Sequence, residues 1–86
     1  MKKQISPVTL RLIQASTREQ VAQALNGLDY HEGIPALRAA MDITSDDIES
    51  FLEQGLDSLA MSKASLLSHL SKAEDVILEK HAQEAY

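Results

Sequence analysis

Three histidines and thirteen carboxylates are the side chains of this 86-residue chain with obvious chemical reach. Metal ligands on a helix come at i,i+3 or i,i+4, so that two of them share a face. His31 falls in an expected turn, while His69 and His81 stand twelve residues apart with no His or Cys at those offsets. No metal site is expected. The chain has no cysteine, which excludes a disulfide framework, a zinc ribbon, a thiol nucleophile and a redox pair. Acid pairs such as Asp46 and Glu49 could exchange protons, but no nucleophile accompanies them and nothing suggests a concave pocket. G-x-x-x-x-G-K-[ST], G-x-G-x-x-G and G-x-S-x-G are all absent. The chain is not expected to be an enzyme, and no catalytic, cofactor-binding or metal-binding residue is assigned.

One serine has a more specific setting. Gly55-Leu56-Asp57-Ser58-Leu59 resembles the G-x-D-S-L segment of acyl and peptidyl carrier proteins. That resemblance implies a phosphopantetheine arm on Ser58. Carrier proteins continue with regularly placed apolar residues, whereas this chain continues with Ser62, Lys63 and Ser65. No cofactor is assigned on it.

Composition narrows the class further. Hydrophobic content is 44%, which suits a folded domain and exceeds that of a disordered tail. The length allows one domain, 1–86, with a small core. No apolar run reaches the roughly 18–20 residues of a spanning helix. Met1-Lys2-Lys3 resembles the start of a signal peptide, but Thr9, Arg11 and Gln14 interrupt the apolar stretch beyond it, so a cytoplasmic location is expected. The net charge of −5 is unevenly placed: residues 1–28 carry +3, residues 29–57 carry −7, and residues 58–86 carry −1. The acidic centre argues against direct contact with nucleic acid or an anionic membrane.

The elements that position these charges read as helices throughout. Ser6-Pro7 is an N-cap followed by proline at the first helical position. The stretch from Val8 to Ile13 also fits a short strand. Ser16 to Glu19 has capping-box spacing, and Asn26-Gly27 ends the helix that it opens. Asp29 to Gly33 reads as a turn, Pro35 as the start of a third helix, and Thr44-Ser45-Asp46-Asp47 as the start of a fourth. The chain then pauses at Gln54-Gly55 and runs helical to its end, with a break at most near Ser71. The expected fold is all-α: four to five helices, short over 1–55 and long over 56–86.

Residues 37–55 resemble the repressor-type helix-turn-helix family. Leu37 and Met41 would anchor its first helix, Ile43 the turn, and Ile48, Phe51 and Leu52 its second helix. Arg38 and Asp42 depart from the small residue and the glycine usual there. On the second helix Asp46, Glu49, Glu53 and Asp57 would share a face within about 80°. A base-reading helix carries Arg, Lys, Asn or Gln on that face. Carboxylates there would repel phosphates and suit a basic protein, which makes these four residues the expected partner-binding set.

A second stripe lies toward the C-terminus. Leu56, Leu59, Lys63, Leu66, Leu70, Ala73, Ile77 and Lys80 alternate by three and four residues, the spacing of a coiled-coil seam. The same stripe would also serve packing within one chain. Leu56, Leu59, Leu66, Leu70 and Ile77 are the expected oligomerisation residues, and a homodimer is the expected state.

In size, acidity and helical character the chain resembles the small antirepressors of temperate phages. That resemblance implies a non-enzymatic regulator that binds a DNA-binding repressor as its protein partner. Two alternatives remain beside the carrier reading. One is a dimeric helix-turn-helix DNA binder using Lys2, Lys3, Arg11 and Arg18 on phosphates, and the other is a helical secretion chaperone or adaptor.

Overall fold

In the computed structural model, which describes residues 5–84, α1 (Pro7–Gln14) begins as its sequence dictates. Ser6 accepts a hydrogen bond from the Thr9 backbone N–H at 3.1 Å, and Pro7 occupies the position where a missing N–H is harmless. The ambiguous first segment is helix. α2 (Arg18–Leu25) starts one residue later than the Ser16–Glu19 pairing implies. Its capping box joins Thr17 to Gln20, whose side-chain oxygen also accepts from the Ser16 N–H. It ends at Asn26, and Gly27 takes φ +81°.

The expected turn over 29–33 and the helix starts at Pro35 and Thr44 are replaced by one helix, α3 (Tyr30–Glu53), of 24 residues. Asp29 caps it, accepting from the Glu32 N–H at 3.0 Å. Pro35 lies inside the helix, where it removes one backbone bond near the start. The helix-turn-helix frame over 37–55 therefore has no turn. Leu37, Ala40 and Thr44 are buried, and Ile48 and Phe51 are half-buried, so one inward face runs through the supposed turn at helical spacing. No Gly or Pro interrupts 36–54. Burial of that continuous face outweighs the capping preference of Thr44-Ser45-Asp46-Asp47.

Gly55 does end the helix. At φ +76° it donates to the Leu52 carbonyl at 3.1 Å, while the Leu56 N–H reaches back to the Phe51 carbonyl at 2.8 Å. These two bonds are the Schellman pattern that closes a helix C-terminus. α4 (Asp57–Glu84) then runs 28 residues without a break at Ser71.

α3 and α4 form an antiparallel hairpin. Tyr30 lies against His81, and Arg38 bonds Glu74 at 3.0 Å. α1 and α2 cover one side of this hairpin, and Leu12, Val21, Leu37 and Leu70 fill the centre at 1% exposure or less. Lys63 Nζ donates to the Ile13 carbonyl at 3.2 Å, closing the end of α1 with a cation where the helix dipole is negative. Among the described residues there are four helices and no strand, so the all-α fold with a long C-terminal helix is as expected.

Candidate functional site

The hairpin has two unlike ends. Its base holds the core. Toward the connecting turn, no residue between 45 and 59 is buried. This distal end carries Asp42, Asp46, Asp47, Glu49, Glu53 and Asp57, and no Lys or Arg occurs between Arg38 and Lys63.

Continuity of α3 alters which acids act together. Asp42, Asp46, Glu49 and Glu53 are all exposed and follow one another at i, i+4, i+7 and i+11. At about 100° per residue they occupy a stripe about 60° wide and about 16 Å long, roughly opposite Thr44 and Leu37. Asp57, expected on the same face, is the first residue of α4 beyond the turn and leaves the stripe. Asp42 replaces it. The helical spacing of Asp42 is legible in the chain, but a turn placed over 42–45 conceals it.

Leucines flank the stripe. Leu52 is 56% exposed, Leu56 41%, Leu59 50% and the neighbouring Met61 74%. Three of the four side chains come after the turn, so the apolar surface wraps the distal end. The charges stand where they harm the helix. Asp42/Asp46, Asp46/Glu49 and Glu49/Glu53 are like-charge neighbours, each costing about 0.2–0.5 kcal/mol. Glu49 and Glu53 also crowd the negative end of the α3 dipole, and the last turn contains no basic residue.

The leucine seam divides along its length. Leu66 and Leu70 are 3% and 0% exposed, and Ile77 packs half-buried against the same core. These three expected oligomerisation residues are closed within the chain, because α1, α2 and α3 already cover that side of α4. Lys63, a member of the same stripe, turns to cap α1. Only Leu56 and Leu59, lying beyond the end of α1, stay open to solvent.

Other candidates are scattered. His31 edges onto Tyr30, His81 stacks on the other part of that ring, and His69 lies mid-helix in α4. Among the described residues no three metal-ligating side chains converge. Ser58 is exposed in the first turn of α4, a single long helix. Arg11 and Arg18 are exposed on α1 and α2, while Lys2 and Lys3 lie outside the described residues. No helix among those residues is long and apolar enough to cross a membrane. Comparison with protein-family models, curated proteins and solved structures finds no significant match to this chain.

Proposed function

We propose that the chain is a non-enzymatic, cytoplasmic regulatory protein that binds a basic surface of another protein through the distal end of the α3–α4 hairpin. The observation that carries this reading is the stripe Asp42, Asp46, Glu49 and Glu53 beside exposed Leu52, Leu56 and Leu59. A stripe that weakens its own helix, set beside apolar surface left open, is matched by a partner bearing cations around an apolar centre. Contact would relieve the repulsion and speed encounter. A DNA-binding protein necessarily carries such a basic face, and it is the partner class proposed. Occupying that face displaces DNA, which is the action of an antirepressor.

The test compares wild-type protein with the Asp46→Lys/Glu49→Lys/Glu53→Lys variant in affinity capture from host and phage lysates. A DNA-binding protein held by the first and not by the second is purified, and its operator complex is titrated in a gel shift. Release of the operator by wild type alone is expected. Identical capture by both proteins, or an operator complex indifferent to both, would overturn the proposal.

A further inference from the structure

At the other end of the molecule, α2 and the C-terminal half of α4 leave a groove of about 890 Å³ between them. Ala22, Leu25, Leu28, Ala73, Val76 and Ile77 give it an apolar lining, and Val76 is 64% exposed. Its rim differs from the distal end in one decisive respect. Arg18, Lys72 and Lys80 stand there with Asp29, Asp75 and Glu84, so the signs balance. The one ion pair among the described residues, Arg38 with Glu74, involves none of these six. A balanced, unpaired rim does not select a basic or an acidic partner. It is what a self-complementary surface requires, since a two-fold axis brings each patch onto its own copy.

The order of charges along α4 supplies the register. Lys72 and Glu79 are exposed, lie seven residues apart, and share one side of the helix within about 20°. Val76 sits beside their midpoint. An antiparallel second copy of α4, related by an axis next to Val76, therefore sets Lys72 of each copy opposite Glu79 of the other. The pair occurs twice.

We propose that a second copy of this chain occupies the α2–α4 groove, α4 against α4 and antiparallel, to form an isologous dimer centred on Val76. The acidic distal ends are then left free, because a surface with six carboxylates and no cation repels its own copy. The proposal does not depend on the partner reading of that end.

Sedimentation velocity over a concentration series tests it with Lys72→Glu, Glu79→Lys and Val76→Asp, all at exposed positions, and with circular dichroism to confirm folding. Wild type dimerises reversibly. Each single charge variant places like charges opposite each other twice and weakens the dimer about tenfold or more. Mixing the Lys72→Glu protein with the Glu79→Lys protein restores dimer, since each then meets the opposite sign in its partner. Val76→Asp is monomeric, while Glu49→Lys on α3 dimerises like wild type. A wild-type monomer at every concentration, a dimer unmoved by Val76→Asp, or a mixture that stays monomeric would each overturn the proposal.

Discussion

The imidazole of His81 lies flat on the ring of Tyr30, with centroids 3.9 Å apart and planes inclined by 13°. The contact joins the first residue of α3 to the last turn of α4, at the base of the hairpin. Aromatic pairs add about 0.5–1.5 kcal/mol beyond the area they bury. Tyr30→Leu keeps most of the apolar volume and removes the stack. We expect a loss near 1 kcal/mol, about 4–8 °C in Tm for a chain of this size. Amide exchange should accelerate in residues 77–84 and not in residues 60–70. Uniform acceleration along α4 would contradict a local role for the pair.

Glu49→Lys and Glu53→Lys should each make the isolated protein more stable. Each substitution removes a like-charge neighbour and places a cation at the negative end of α3, a combined gain of about 0.5–1 kcal/mol at low salt. Under the proposed function the same variants lose the partner. Urea titration in low and high salt checks the first expectation, because screening should shrink the gain. Equal or lower stability would show that the stripe carries no strain.

Gly33 and Gly55 should respond to alanine with opposite signs. A Cβ on Gly33 would meet Ile77 and Leu25 at 3.7 and 3.8 Å, ordinary contact distances, inside a helix. Gly33→Ala is expected to stabilise by about 0.5–1 kcal/mol. Gly55 has open space around its Cα but holds φ +76°. Gly55→Ala should cost about 1 kcal/mol through the backbone alone. Paired thermal melts decide it, and shifts of the same sign would contradict the argument.

Thr44 is 1% exposed, and its hydroxyl has no hydrogen-bond partner. An unsatisfied buried hydroxyl costs about 1–3 kcal/mol. Thr44→Val preserves shape and should raise Tm by several degrees, about 4–8 °C per kcal/mol gained. A fall in Tm would mean that the hydroxyl is satisfied in solution.

Substitutions along the leucine stripe should separate folding from surface effects. Leu70 is fully buried, and Leu70→Ala should cost about 2–5 kcal/mol. Leu59 is 50% exposed, and Leu59→Ser should change stability by less than about 0.5 kcal/mol. Chemical denaturation of both variants checks the contrast. A comparable loss at Leu59 would place it in the core.

Much of the helical architecture is legible in local chemistry, because Ser6-Pro7, Asn26-Gly27 and Gly55 act through the backbone next to them. The centre is not. Thr44-Ser45-Asp46-Asp47 carries every local mark of a helix start, and only the burial of Leu37, Ala40 and Thr44 along one face shows that the helix is already under way. The same dependence on neighbours explains the leucine stripe. Its period is plain, but whether Leu66 and Leu70 face another chain depends on where α1 and α2 lie. Of the acidic set, Asp46, Glu49 and Glu53 remain together, whereas Asp57 falls beyond the stop at Gly55 and Asp42 joins only because α3 continues through the supposed turn.

With nothing buried between 45 and 59, the distal end of the hairpin is expected to open independently of the base, as a unit of low local stability. Its exposed side chains can also be exchanged with little penalty to folding, Gly55 and the half-buried Ile48 and Phe51 excepted. Selection could then rewrite recognition while leaving the architecture intact. Descendants of one ancestor would keep the spacing of Leu12, Val21, Leu37 and Leu70, with Gly55 at the turn, and differ most at the exposed positions from 45 to 59. In such a lineage the base would record ancestry, and the tip would record only recent change.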